Sequence, residues 1–281
     1  MFVLSGFGDE IAPDLMEQMD LMEGLGIKHI EVRGVWGKGV LDLSDDELLR
    51  VKSEMKLRGF APSAIGSPIG KIKITDDFDE HMDRFRRAIF CAKALDAPYI
   101  RLFSYFIPEG DDPADYRDEV MLRMAAKAKL AEAEGVTCLH ENERHIYGDI
   151  GTRCRDILET VNSPNLLGIF DPANYVQCGV KPLEDCWPEV ARWTVYMHVK
   201  DSLWDKTVTP AGEGDGQVEA ILARMLPLAR KQRVFLSLEP HLRHAGEMSG
   251  FSGADMFAKA ADDLKKLLAN LGCTETDEGW I

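Results

Sequence analysis

The sequence predicts an α/β fold, a single-domain (β/α)₈ TIM barrel that takes in all of residues 1–281. Short apolar runs alternate with amphipathic stretches of helical length along the whole chain, and eight such pairs can be counted. The chain length suits one barrel of this kind. Neither a linker, a low-complexity tract nor an internal repeat divides the sequence, so one domain is the better interpretation.

The predicted strands are short apolar runs, such as FVLSGF near the start of the chain and RVFLSLEP near its end. In chain order they cover residues 2–7, 27–33, 60–66, 99–104, 136–142, 165–171, 194–201 and 233–240. A doubly wound open sheet would carry a phosphate-binding glycine fingerprint after its first strand. The segment SGFGDE at that place lacks this fingerprint, which favours the barrel.

The predicted helices are amphipathic and begin and end at typical boundary residues. They cover residues 13–25, 44–59, 77–96, 112–135, a stretch from about 152, and residues 182–192, 217–230 and 253–270. Ser44 and Glu47 have the spacing of a capping box, and Gly59 and Gly135 are favoured residues just past a helix end. Pro188 shortens or kinks the helix predicted around it.

Composition limits the function classes. The formal net charge of −15 repels polyanions, so a general nucleic-acid binder or a protein of anionic membranes is not expected. No two of the six cysteines have the spacing of a zinc knuckle or a redox pair, which predicts reduced, mostly buried thiols. The N-terminal residues do not resemble a signal peptide, and no apolar run approaches the roughly 20 residues that span a bilayer. We therefore expect a cytoplasmic protein.

Polar residues end four successive predicted strands. Glu141, Asp171, His198 and Glu239 each terminate an otherwise apolar run. In a (β/α)₈ barrel these strand ends converge on one face, where the active site lies. Three converging carboxylates need protons or a cation, and their combination with an imidazole suits Mn²⁺, Mg²⁺, Co²⁺ or Zn²⁺. The sequence therefore predicts a site for one divalent ion.

Several segments resemble the xylose-isomerase-like TIM-barrel superfamily, in particular its sugar-phosphate isomerase and epimerase branch. They are GFGDEI (6–11), LHENE (139–143), GIFDPANY (168–175), MHVKD (197–201), PAGEGD (210–215) and LEPHL (238–242), so the similarity covers essentially the whole chain. The resemblance implies that Glu141, Asp171, His198 and Glu239 bind one divalent ion, most often Mn²⁺. It also implies a sugar or sugar-phosphate isomerase or epimerase in which Glu141 and Glu239 act as base and acid beside a carbonyl, through a metal-stabilised enediolate.

Further polar residues near the strand ends are candidates for contact with a small carbohydrate. Asn174 takes the place of a histidine that many relatives carry and suits hydroxyl recognition. Lys200 and His241 follow strands seven and eight closely, and Glu213 lies in the GEG turn. Arg101, like Arg33, is a candidate anchor for an anionic substrate group. Glu10 and Glu31 are candidates for ordering substrate hydroxyls or supporting the ligands.

Other functions remain open at this stage. An endonuclease with three zinc ions needs histidines and an aspartate that the sequence lacks at the matching places. A metal-dependent lyase or hydrolase of 3-keto-glycosides, including C-glycoside cleavage, shares the first proton abstraction and stays an alternative. A non-catalytic sugar-binding barrel is an alternative of another class. The sequence does not name the sugar or its phosphorylation state, and a homo-oligomer is possible because related barrels often form one.

Overall fold

Eight parallel strands form the centre of the protein in a computed structural model that describes residues 1–245 and 250–281. They are β1 (Phe2–Gly6), β2 (His29–Val32), β3 (Ala61–Ile65), β4 (Tyr99–Leu102), β5 (Thr137–Glu141), β6 (Leu166–Phe170), β7 (Thr194–Val199) and β8 (Val234–Leu238). Each strand from β2 to β7 pairs with the next one in the chain, and β8 also pairs with β1. β1 also lies beside β2, where the Ser5 hydroxyl donates to the His29 carbonyl at 3.2 Å. The predicted (β/α)₈ barrel is confirmed.

The helices pack around this barrel. They are α1 (Leu15–Gly24), α2 (Asp45–Leu57), α3 (Phe78–Leu95), α4 (Arg117–Glu134), α5 (Gly151–Val161), α6 (Pro172–Gln177), α7 (Trp187–Val190), α8 (Val218–Ala229) and α9 (Ala254–Asn270). The predicted capping box is present, since Ser44 Oγ accepts from Glu47 N at 3.2 Å and Glu47 Oε2 accepts from Ser44 N at 2.8 Å. Among the helices that the structure describes, none is both long and apolar enough to cross a membrane.

Two helical segments differ from the prediction. α6 was not predicted, because its six residues are too short for a recognisable amphipathic period. In place of the helix predicted at 182–192, the chain forms a π-helical turn, Pro182–Cys186, followed by the four residues of α7. Pro188 accounts for this break, since proline donates no backbone hydrogen bond within a helix.

The barrel interior is layered, because side chains two positions apart on a strand point to the same face. An apolar plug fills its lower part, with buried side chains from six of the eight strands: Val3, Ala64, Leu139, Ile169, Tyr196 and Phe235. On four of these strands, residues of the same parity nearer the carboxyl ends are polar, namely Glu141, Asp171, His198 and Glu239. The plug thus ends directly below the four strand-end residues, and Tyr196 joins the two layers because its hydroxyl donates to Glu31 Oε2 at 2.9 Å.

Lys127 of α4 lies in the apolar layer between helix and barrel, and we expect Lys127→Met to stabilise the protein. The lysine is fully buried, donates to the Phe103 carbonyl at 3.3 Å and stands over the Tyr105 ring. Burial lowers the pKa of Lys127 to about 7. The unfolded chain, where a lysine titrates near its ordinary value of about 10.4, therefore binds more protons above pH 7, and wild-type stability rises with pH.

The gain from Lys127→Met should consequently shrink by about 2 kcal/mol between pH 7 and pH 9, measured by urea unfolding of both proteins. Lys129→Met on the exposed side of the same helix is the matched control and should show no such pH-dependent difference. A gain that stays constant between the two pH values would contradict the prediction.

Candidate metal centre

Four polar side chains meet above the apolar plug at the carboxyl ends of the strands. Glu141 is the last residue of β5, His198 lies at the end of β7, and Asp171 and Glu239 directly follow β6 and β8. All four are buried, and each offers one ligating atom within 4.8 Å of the other three. We call these four residues the metal cluster. Their convergence follows from equal parity on neighbouring strands.

An imidazole and a guanidinium group each lie close to both glutamates of the cluster. His198 Nδ1 lies 2.9 Å from Glu141 Oε1 and 3.5 Å from Glu239 Oε2. Arg101 Nη1 lies 3.2 Å from Glu141 Oε2 and 3.6 Å from Glu239 Oε1. The guanidinium is held in place by the carbonyls of residues 66 and 67, to which it donates. Glu141 and Glu239 therefore face a common space with fixed orientations.

Glu31 of β2 orients the imidazole of the cluster from behind. Its Oε2 lies 3.1 Å from His198 Nε2 and accepts from the Tyr196 hydroxyl. Burial by itself would lower the pKa of His198, but the carboxylates of Glu141 and Glu31 raise it well above its ordinary value. A carboxylate behind a ligating imidazole fixes the ring and its tautomer, so Nδ1 is the atom available to an ion.

Asp171 is fixed by both its backbone and its side chain. It caps α6, since Oδ1 accepts from Asn174 N at 2.8 Å. The side-chain amide of Asn142 donates to the Asp171 carbonyl and accepts from its N–H, each at 2.9 Å. These bonds leave Oδ2 facing the cluster, where Lys200 Nζ lies at 2.9 Å without hydrogen-bond geometry. Burial raises the pKa of Asp171 to about 6, against the opposing effect of Lys200.

Glu239 lies among a lysine, an arginine and an imidazole. Lys200 Nζ lies 3.2 Å from its Oε2, and Arg33 Nη1 and His241 Nε2 lie 3.2 and 3.4 Å from its Oε1. Although burial would raise the pKa of Glu239, Lys200 and His241 hold it well below the usual range. Glu239 is thus an ionised carboxylate in the resting site and is available as a metal ligand.

The donor set fits a divalent ion. Three buried carboxylates and one imidazole supply the oxygen and nitrogen ligands that Mn²⁺, Mg²⁺ or Zn²⁺ takes. Asp171 Oδ2 is buried without a hydrogen bond from the described residues, which is costly unless a cation satisfies it. In the structure, the neighbouring lysine and arginines supply the counter-charge that an ion would otherwise supply.

Residues 19–225 match the family model described as the xylose isomerase-like TIM barrel. The match covers well over half of the chain. The chain belongs to this family. The family resemblance found in the sequence is thereby confirmed. No curated protein matches the sequence significantly.

Solved structures with the same barrel include a probable 3-DHS dehydratase, AsbF, involved in petrobactin synthesis in Bacillus anthracis. It is 17% identical, with a TM-score of 0.75 over 94% of this chain and 99% of that one. A D-tagatose 3-epimerase-like protein is 15% identical, with a TM-score of 0.76 over 96% and 98% of the two chains. An IOLI protein with a bound zinc atom is 16% identical, with a TM-score of 0.69 over 96% and 97%. At these identities the likeness shows the fold.

Most of the residues that were predicted to contact substrate lie beside the metal cluster. Lys200 and Arg101 touch its carboxylates, as described above. Asn174 donates to Glu141 Oε1 at 3.4 Å and to the Asn142 carbonyl at 2.9 Å, so its amide orients a cluster glutamate. His241 reaches the cluster from a left-handed backbone conformation, φ 51°, and also lies 3.2 Å from Glu10 Oε1. These substrate roles stay predictions.

Glu213 does not reach the site, which corrects the prediction made for it. Its side chain is exposed and pairs with Lys259 of α9 at 2.8 Å. The GEG turn instead turns its backbone inward, because the N–H groups of residues 212, 214 and 216 donate to the buried carboxylate of Asp201. A Cβ at Gly214 would stand only 2.4 Å from Asp201 Oδ1, so the turn requires glycine there. The glycine spacing of the turn therefore has a structural cause.

Asn142 has no predicted role in the sequence, although its side chain fixes Asp171. Glu31 and Arg33 are candidates in the sequence, but their partners in the metal cluster, His198 and Glu239, are known only from the structure. A polar residue directly after a strand-end glutamate was the available signal for Asn142. Glu31 carried a clearer one, because it is a carboxylate inside an apolar strand, where it needs a buried partner.

Proposed function

We propose that the protein is a divalent-metal-dependent sugar isomerase or epimerase that removes a proton from carbon next to a carbonyl. The observation that carries this proposal is the buried cluster in which two glutamates, Glu141 and Glu239, face one common space beside Asp171 and His198. A bound divalent ion would polarise the substrate carbonyl and stabilise the negative charge that develops on its oxygen. Mn²⁺ is the expected ion, with Mg²⁺, Co²⁺ or Zn²⁺ compatible.

The residues of the site have separate roles in proton transfer, positioning and substrate binding. Glu239, kept ionised by its cationic neighbours, accepts the proton from the substrate carbon, and Glu141 returns a proton on the opposite side. Arg101 and His198 hold both carboxylates in place, and Glu31 holds His198. Lys200 presents a donor to substrate oxygens, and the Asn174 amide lies beside the substrate space and orients Glu141. The roles of Glu141 and Glu239 exchange when the reaction runs in reverse.

A lyase is the second candidate, because a probable dehydratase is among the proteins with the same barrel. The first step is shared. After the proton leaves carbon, a hydroxyl or an aglycone departs in place of proton return, as in cleavage of a 3-keto-glycoside.

Proton NMR in D₂O distinguishes these candidates. Mn²⁺-loaded enzyme is incubated with a ketohexose, a tetrulose and a 3-keto-glycoside, and is removed before detection. Deuterium at C3 of a ketose supports epimerisation, and deuterium at C1 with aldose formation supports isomerisation. Release of water or an aglycone supports the lyase. If the metal-loaded protein binds one of these compounds but exchanges none of its C–H protons, the result favours a non-catalytic sugar-binding barrel.

A further inference from the structure

A cavity of about 420 Å³ opens beside the metal cluster, above the carboxyl ends of β2, β3 and β4. We infer that it receives an anionic end of the substrate, a carboxylate or a phosphate. The inference rests on the proposed function, since it names the substrate class of the same site. Arg33 and Arg101 form part of the cavity wall and also contact Glu239, so their side chains lie between the cavity and the cluster.

The inner wall of the cavity is cationic. Arg33, Lys71 and Arg101 line it, and their side chains are only 10%, 8% and 5% exposed. Two aromatic rings hold the three heads on this wall. Both arginines stand over Phe7, at 4.5 and 4.9 Å, and Lys71 stands over Phe103 at 4.4 Å. Arginine and lysine heads only donate hydrogen bonds, so they match an all-acceptor group better than a hydroxyl that also donates.

The acidic residues that line the cavity form ion pairs with neighbouring cations. At the outer rim Arg84 pairs with Asp42 at 2.8 Å, and both side chains are about half exposed, so water screens this pair. Asp9, deeper in the cavity, pairs with Arg33 at 2.8 Å. Lys71 pairs with Glu143 at 3.1 Å on the side of the cluster. Arg101 differs from these three cations, because its acidic partners in the described contacts are the cluster glutamates.

Metal binding changes this balance in favour of an anion. Arg33 Nη1 and Arg101 Nη1 both face Glu239 Oε1, at 3.2 and 3.6 Å. Glu239 and Glu141 are proposed ligands, so a divalent ion brings positive charge to the two carboxylates with which Arg101 pairs. Arg33 keeps Asp9 as its partner, whereas the buried Arg101 guanidinium then shares its glutamates with the ion and gains from a further counter-charge. A carboxylate or phosphate on the substrate supplies it.

Three ligands with the same six-carbon chain test the inference: sorbitol, gluconate and sorbitol 6-phosphate, titrated calorimetrically into Mn²⁺-loaded protein. At least one anion should bind roughly ten-fold or more tighter than sorbitol, as expected for charge-assisted hydrogen bonds. The tighter of the two anions identifies the group that the cavity takes. Equal affinity of all three ligands would overturn the inference.

Gluconate can also bind a metal ion by itself, so variants must show that the cavity matters. Arg33→Gln should reduce the preference for the anion over sorbitol by about ten-fold. Arg84→Gln at the exposed rim is the matched control and should change the preference by less than about two-fold. Lys71→Met is the second variant, because Lys71 contacts none of the four cluster residues in the described contacts and its loss should leave Mn²⁺ binding intact.

Metal content of every variant is measured before the ligands are added. If Arg33→Gln and Lys71→Met bind Mn²⁺ as wild type does and keep the full anion preference, the anion is held by the ion alone and the inference is wrong. Failure of the proposed function has a different signature, namely a wild-type protein that takes up no metal at the cluster or exchanges no substrate proton.

Discussion

Glu239→Gln should lower the turnover number of the proposed reaction by about 10²–10⁴-fold, the usual contribution of a positioned acid or base. The amide keeps the size of the side chain and can still accept from Lys200, but it does not take a proton from carbon. Turnover is measured at saturating Mn²⁺, with the metal content of the variant determined in the same samples. Glu141→Gln should have an effect of the same order.

Single-turnover exchange in D₂O refines this result. If the reaction is an epimerisation with one glutamate on each face, each variant should still exchange the proton of one epimer and fail with the other. Glu213→Gln is the control, because Glu213 is an exposed glutamate paired with Lys259 and lies outside the cluster; its turnover should stay within about two-fold of wild type. Full turnover by metal-loaded Glu239→Gln would remove Glu239 from the mechanism.

Asp171→Asn should weaken Mn²⁺ binding by about 10²–10⁴-fold. Asparagine can still cap α6 through its side-chain oxygen, so the backbone at residue 171 keeps its hydrogen bonds. What is lost is the negative charge of Oδ2 in a buried cluster, and removing one charge from a buried set costs about 3–5 kcal/mol. The dissociation constant of Mn²⁺ is measured by calorimetry at one fixed pH.

Thermal unfolding measures the loss of Mn²⁺ binding in Asp171→Asn independently of calorimetry. A ligand at about 100 times its dissociation constant stabilises a protein by about 2.7 kcal/mol. At the Mn²⁺ concentration that gives this gain in wild type, Asp171→Asn should gain almost nothing.

Asp201→Asn is the matched control for this experiment. Asp201 is also a buried aspartate just past a barrel strand, but its carboxylate accepts from the glycine N–H groups of the GEG turn. This variant should lose stability and keep its Mn²⁺ affinity. Equal losses of affinity in the two variants would show that the effect comes from general disturbance of the strand ends.

The sequence was sufficient to predict the barrel and the convergence of four residues. Both depend on local regularities: an apolar run marks a strand, and the parity of a side chain along that strand decides whether it faces the barrel axis. Glu141, Asp171, His198 and Glu239 follow from this rule because each ends its run with the parity of an inward-facing plug residue. Neighbouring strands then bring them together without any contribution from loops.

The tertiary structure alone decided the partners of those residues. Glu31 meets His198 only because β2 lies across the barrel from β7, and Arg33 and Arg101 meet Glu239 from different strands. Glu213 lies outside the site because backbone amides of its turn bind Asp201, an interaction that no periodic pattern records. Strand parity repeats every two residues and can be read along the chain, whereas loop conformations and cross-barrel ion pairs depend on residues distant in sequence.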